Sequence, residues 1–142
     1  MADIAITTTQ VVPTTDRTQI FSGKCGEAIT IGQVVYKKAA DNKLWKAIDT
    51  SAAAAAAVGI AISSSVAAEQ DVSYQKGGTI TLGAAASITA GAVYVLTDTA
   101  GGISLEAERN TGDYMTYIGV GNASNAIVMP TKGPHATGVA HA

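Results

Sequence analysis

The sequence predicts an all-β protein: a small β-sandwich or barrel-like body built from two related β units, with an extended N-terminal arm and a short C-terminal tail. Three observations carry this. Ile29-Thr30-Ile31-Gly32-Gln33-Val34-Val35-Tyr36 returns about sixty residues later as Ile88-Thr89-Ala90-Gly91-Ala92-Val93-Tyr94-Val95, an Ile-Thr-x-Gly-x-Val core with a tyrosine close behind. Each copy then leads through a turn and a short strand to a second matching run, Val58-Gly59-Ile60-Ala61 in one and Ile118-Gly119-Val120-Gly121 in the other. Short β-branched runs recur at spacings near ten, separated by glycine-rich turns, as in a small sheet unit used twice.

At 142 residues the length suits one domain, able to bury roughly 70% of the surface its unfolded chain exposes. Its filling is unusual. Alanine and glycine abound, Phe21 and Trp45 are the sole members of their kinds, and five tyrosines complete the aromatics. Small side chains bring little apolar area each, whereas full burial of a large one stabilises by about 1.5–3 kcal/mol. The composition predicts a body that leans on assembly.

A formal charge of −2, from few charged residues, removes the electrostatic case for nucleic acid, which calls for Lys and Arg concentrated on one face. The single cysteine, Cys25, excludes an internal disulfide and metal sites built from several thiolates. The opening Met1-Ala2-Asp3-Ile4-Ala5 lacks the basic stretch and long apolar run of a signal peptide. No window nears the roughly 20 apolar residues of a membrane helix, since even 52–61 is short and weakly hydrophobic. The expectation is a soluble chain made in a cytoplasm, with neither nucleic acid nor membrane as partner.

Residues 1–20 are the expected arm. Polar and β-branched residues alternate through Thr7-Thr8-Thr9, Val11-Val12-Pro13 and Thr14-Thr15-Asp16-Arg17, and Pro13 cannot donate to the ladder of a central strand. Twenty extended residues span roughly 65 Å, more than the width of such a domain. The arm is therefore expected to contact another chain, with Ile4, Ile6, Val11, Val12 and Ile20 as its contact residues.

The β body spans 21–130, with the repeat at about 28–63 and 87–121. Gly23 and Gly26 are turn residues before a strand over 28–38, and Asp41-Asn42-Lys43 turns the chain, because Asn and Asp tolerate the left-handed conformation. Residues 44–48 alternate apolar and polar as a half-buried returning strand does. The alanine run 52–57 predicts a single helical turn with Asp49, Thr50 or Ser51 as its cap, too short to stand as a helix. Strands follow at 58–63, 71–75 and 79–82, with 64–69 as a loop and Lys76-Gly77-Gly78 as a turn. The second unit reads as strands over 88–96, 103–105, 114–120 and 126–129, with turns at 97–102, 110–113 and 121–125. After Pro130 periodicity stops, leaving 131–142 as a polar tail.

Catalytic chemistry has little to build on. Nucleophilic catalysis requires a base beside the nucleophile, and both histidines, His135 and His141, stand in the tail far from Cys25 in sequence. Cys25 reads as a small packed thiol. Asp98, Glu106, Glu108 and Asp113 flank turns as solvated acids do. Oxygens of Asp98, Thr99 and Glu106 suit a hard cation, but no twelve-residue calcium loop is present. The glycine pairs at 77–78 and 101–102 belong to turns, since no phosphate-binding string opens a helix. The sequence predicts no catalytic residues, no metal and no cofactor.

One local asymmetry remains. Lys37, Lys38, Lys43 and Lys46 crowd a hairpin around Trp45. As a contact patch, the indole anchors a partner and the lysines steer toward an acidic surface, with Lys37, Lys38 and Trp45 as contact residues. Two alternatives stand beside it: a core tryptophan with solvated neighbours, and a sugar-stacking platform.

Gly32-Gln33-Val34-Val35-Tyr36, Val58-Gly59-Ile60-Ala61, Gly78-Thr79-Ile80-Thr81-Leu82-Gly83-Ala84, Thr89-Ala90-Gly91-Ala92-Val93-Tyr94-Val95 and Gly112-Asp113-Tyr114-Met115-Thr116-Tyr117-Ile118-Gly119-Val120 succeed one another over about residues 22–130. In that order they resemble the small capsid decoration, or head cement, proteins of tailed bacteriophages. The resemblance implies a non-enzymatic virion protein, made in the bacterial cytoplasm, that binds the major capsid protein on the outer surface of a mature shell. It implies a homotrimer that stabilises junctions between capsomers, and it brings no catalytic residue or cofactor. The Thr-rich arm departs from the short members and leaves the symmetry of attachment open. Linked contacts suit such a role, because avidity exceeds single-site affinity by roughly 10²–10⁴. The alternative expectation is a surface-displayed adhesion or fibre module that binds host glycans through the Trp45 hairpin.

Overall fold

The computed structural model describes residues 3–13, 19–108 and 110–140. These form twelve strands: β1 (Val11–Pro13), β2 (Ile20–Lys24), β3 (Val34–Lys38), β4 (Lys43–Lys46), β5 (Ala57–Ala61), β6 (Asp71–Gln75), β7 (Gly78–Leu82), β8 (Val93–Leu96), β9 (Ile103–Leu105), β10 (Tyr114–Gly121), β11 (Ala126–Met129) and β12 (His135–Ala140). They make two antiparallel sheets, in the order β2-β6-β5-β3-β4 and β1-β7-β11-β10-β8-β9, with β12 also paired to β10. The all-β, sandwich-like body is the fold class expected from the sequence.

The repeat is visible in the topology. The order β2-β6-β5-β3-β4 recurs as β7-β11-β10-β8-β9. Val34, Val35 and Tyr36 pair with Ile60, Gly59 and Ala57, while Val93, Tyr94 and Val95 pair with Val120, Gly119 and Tyr117. Both ladders therefore skip one residue, Val58 in the first and Ile118 in the second, and this bulge bends each sheet at the same place. The Thr-x-Gly of each copy is a turn and not strand: Gly32 and Gly91 have φ of +94° and +80°, a conformation that glycine enters without steric cost. Their N–H groups donate to the Ala61 and Gly121 carbonyls at 2.8 and 2.9 Å. The strands expected over 28–38 and 88–96 consequently begin only at Val34 and Val93.

Two cores result. Between the sheets, Val34 and Ile60 from the first meet Ile80, Leu82, Tyr94, Ile103, Ile118 and Ile127 from the second. The other face of the first sheet encloses Cys25, Ile29, Val35, Leu44, Val72 and Tyr74. A parallel bridge between Cys25 and Leu44 brings the edges of that sheet together around this second core. Gln75, fully buried, ties the units at their junction, its Nε2 donating to the carbonyls of Gly77 and Thr79. The alanine run makes the expected single turn: the Ala55 N–H donates to the Ser51 carbonyl at 3.0 Å, and Ser51 Oγ accepts from the Ala54 N–H.

Both ends differ from expectation. The described part of the arm lies on its own domain: β1 pairs with β7, setting Val11 opposite Leu82, and the N–H groups of Ile4 and Thr7 donate to the carbonyls of Ile103 and Leu82. Pro13 is tolerated because β1 is an edge strand that pairs on one side only. Residues 1–2 and 14–18 of the expected arm lie outside the described residues. The tail likewise forms β12 along the first half of β10, where Tyr117 pairs with His135. A strand with weak local preference forms because a long partner strand supplies its ladder.

Candidate functional site

The β3–β4 hairpin is held from its turn outward. Asn42 adopts φ +59°, its N–H donating to the Lys38 carbonyl at 2.7 Å, and the Lys43 N–H donates to Asp41 Oδ1 at 3.0 Å. The Asp41 carboxylate also accepts from the Trp45 indole N–H, 3.1 Å from Oδ2. Desolvation pushes the Asp41 carboxyl up, but the Lys43 N–H, the Trp45 indole and the Lys43 and Lys38 charges outweigh it and hold it below the ordinary carboxylate range. The ammonium of Lys38 sits 4.4 Å from the centre of the Trp45 ring, a cation–π contact. Beneath the indole is Gly26, where a β-carbon would come within 2.3 Å of the ring. Trp45 is thus neither a core residue nor a free one: it is half-buried and clamped at a fixed angle.

The four lysines are not equivalent. Lys43 is paired with Glu69, and that hydrogen bond pushes the Lys43 ammonium above its ordinary value. Lys46 lies 3.5 Å from Glu27, whose other oxygen accepts the Lys46 N–H at 2.9 Å. The exposed Lys37 and half-buried Lys38 are left to give the patch its positive character.

The arm residues do not join this patch. Ile4, Ile6 and Val11 pack against the core between the sheets, Ile20 is half-buried at the start of β2, and Val12 is 50% exposed on β1. Ile4, Ile6 and Val11 are therefore contacts within the chain. Turns 30–33 and 99–102 meet this segment around a groove of about 250 Å³, lined by Ile4, Ile6, Ile31, Gln33 and Thr99 among others.

The groups weighed for chemistry are dispersed. Cys25 is fully buried, its Sγ 3.2 Å from Ser65 Oγ, whereas His135 is exposed on β12 and His141 lies outside the described residues. Glu106 accepts from the Tyr117 hydroxyl at 3.3 Å, and Asp98 and Asp113 accept from the side-chain amide and backbone N–H of Asn110. The Glu108 side chain lies outside the described residues. Among the described residues no three His, Cys, Asp or Glu side chains gather as a metal site. No helix among them is long and apolar enough to cross a membrane.

Sequence reasoning missed Asp49. Its position before Ser51 suggested a cap, yet its side chain is 1% exposed and Oδ1 has no hydrogen-bond partner among the described residues. Its backbone joins the units, the N–H donating to the Thr97 carbonyl and the carbonyl accepting from the Tyr114 N–H. Burial, then the charge and hydrogen bond of Asp113, then the charge of Asp98, push its carboxyl up to about 7. Compared with protein-family models, with curated proteins and with solved structures, the chain finds no match in any of the three.

Proposed function

We propose that this chain is a structural virion protein that binds the outer surface of a bacteriophage capsid and cements adjoining capsomers as a homotrimer. It is made in the host cytoplasm and is a binding protein, not an enzyme. The observation that carries the reading is the clamped Trp45 hairpin. An indole fixed by Asp41, Lys38 and Gly26 loses little freedom on docking, and an aromatic anchor beside a cation is the composition that dominates binding energy at protein interfaces. Lys37 and Lys38 favour an acidic partner surface such as that of a shell protein. The order of the β segments supports the same family of roles.

Co-sedimentation with undecorated phage heads tests this. Trp45→Ala and Lys37→Glu are each expected to reduce occupancy about tenfold, with Lys37→Glu leaving the fold intact because its side chain is exposed. Absence of binding by the unmodified protein, or unchanged occupancy of both variants, would refute the proposal. A second reading, adhesion to host glycans, draws on the same hairpin through hydrogen bonding alone, since the exposed Asp41 carboxylate beside the indole N–H can accept from sugar hydroxyls while Lys38 and Gly26 occupy the two faces of the ring. Glycan-array binding lost in Trp45→Ala would favour it.

A further inference from the structure

Asp49 sits where turns of the two units meet. It follows β4, and its backbone is pinned on both sides: the N–H donates to the Thr97 carbonyl at 3.1 Å and the carbonyl accepts from the Tyr114 N–H at 2.8 Å. Those bonds hold the turn after β8 and the turn before β10 against it, and with them Asp98 and Asp113. The Asp49 side chain is 1% exposed, its Oδ1 has no hydrogen-bond partner among the described residues, and the Asp113 carboxyl lies within hydrogen-bonding reach of it. Asp113 is half-buried, and its Oδ2 already accepts from the Asn110 N–H at 3.1 Å. Asp98 is exposed and tied to the Asn110 side-chain amide at 3.4 Å, so it adds negative charge from the rim. Among the described residues no lysine pairs with these acids: the ion pairs there join Lys24, Lys43 and Lys46 to Asp71, Glu69 and Glu27.

A buried carboxylate oxygen without a donor is costly, and a second carboxylate beside it raises the cost. A proton relieves both in acid solution, and above neutrality a cation does the same. We propose that Asp49 and Asp113 together hold a divalent cation, calcium before magnesium, in the seam between the two β units. The donors decide the class: carboxylate oxygens suit these hard ions over metals that seek thiolate or imidazole. Calcium is favoured because carboxylates on irregular turns leave its remaining positions to carbonyls and water in flexible geometry, whereas magnesium demands a near-ideal octahedron. Three acidic ligands do not gather, and Asp98 stays outside the coordination, so the affinity belongs at the weak end, with Kd about 10⁻⁴–10⁻³ M. Binding displaces the Asp49 proton and clamps turns of both units on one ion. It is a property of the free chain and does not depend on attachment to a shell.

Urea unfolding of the full chain, with calcium or with a chelator and at equal ionic strength, provides the test. Calcium at about 5 mM is expected to raise the folded-to-unfolded ratio at pH 8 roughly tenfold over chelator. At pH 5, where Asp49 keeps its proton, it is expected to change little. In chelator the titration of Asp49 is seen alone. Asp49→Asn and Asp113→Asn, which keep the side-chain shape, are each expected to abolish the response, and Asp71→Asn, at an exposed acid on β6, to retain it. Titration calorimetry at pH 8 is expected to find one calcium ion per chain. Circular dichroism monitors the fold, and if one Asn variant misfolds the other decides. No calcium response at pH 8 would overturn the inference, as would a response that survives in the folded Asn variants or that sodium chloride reproduces. An equal response to magnesium would overturn the preference for calcium.

Discussion

Gly59 and Gly119 stand at the same point of two different sheets. A β-carbon on Gly59 would lie 2.3 Å from the Gln75 carbonyl oxygen, and one on Gly119 would lie 2.4 Å from that of Val128. Gln75 and Val128 are themselves equivalent, each paired with the residue after the glycine. The bulge at Val58 or Ile118 presses its strand against a neighbour, and only a residue without a side chain fits.

Gly59→Ala and Gly119→Ala are therefore expected to destabilise the protein by similar amounts. The obstacle is backbone, which moves less readily than a side-chain tip, so each cost should be about 1–3 kcal/mol or more. Gly112→Ala is a contrasting case, where the strain of φ +93° acts with nothing within 4 Å of a β-carbon. Urea midpoints of the three variants check this; a large loss at only one of Gly59 and Gly119 would break the equivalence.

Asp49 makes stability depend on pH. Its carboxyl rises from an ordinary 3.8 to about 7, first through burial and then through Asp113 and Asp98. The folded state then holds a proton that the unfolded chain releases near pH 4, so this stabilisation is fully present below about pH 4 and is lost as pH rises through about 7. The full swing is on the order of 4 kcal/mol. Asp49→Asn, which mimics the neutral acid, is expected to flatten the decline and to exceed the unmodified protein in stability at pH 8. Urea unfolding at pH 5 and pH 8 decides it, and parallel changes in the two proteins would exclude the mechanism.

The parts of the fold written in local sequence were legible. The limits of β6, β9 and β11 were expected as observed, because turn residues bracket short β-branched runs at 71–75, 103–105 and 126–129. The Trp45 hairpin was likewise marked by Asp41-Asn42. What depends on contacts distant in sequence was not. Pro13 excluded a central strand, but nothing near it said that the expected arm would instead pair with β7, some seventy residues away. Asp49 was read only as a cap and Gln75 only as the end of a strand, because burial of a polar group is decided by the packing of remote strands. The lysine patch was half legible: the cluster could be counted, but its partial neutralisation by Glu27 and Glu69 required the fold.

The docked arm predicts a stability role for residues first considered as partner contacts. Ile6 packs over Gly32, whose added β-carbon would meet the Ile6 side chain at 2.6 Å, and Ile4 closes the same side of the core. Ile4→Ala and Ile6→Ala are each expected to cost about 1–3 kcal/mol, less than fully buried positions because both side chains are only half-buried. Val12→Ala, on an exposed side chain, should fall within about 0.5 kcal/mol. Thermal unfolding of the three variants tests the ranking, and neutral behaviour of both isoleucine variants would mean that the segment is not docked in solution.

Cys25 reports on the closure of the first sheet. Its thiol lies in the enclosed core, 3.2 Å from Ser65 Oγ and 3.1 Å from the Ala67 carbonyl, while its N–H donates to the Gln70 carbonyl and its own carbonyl accepts from the Glu69 N–H. The 64–70 loop therefore seals the thiol through four separate contacts, and a reagent reaches the sulfur only when that loop leaves. If the loop and the first sheet open together, labelling of the native protein should be about a thousandfold or more slower than labelling of the unfolded chain. Its rate should then rise with urea in step with global unfolding. If the loop opens alone, labelling is faster and insensitive to low urea. Thiol-reagent kinetics across a urea series distinguish the two, and the contacts of Ser65, Ala67, Glu69 and Gln70 predict the first.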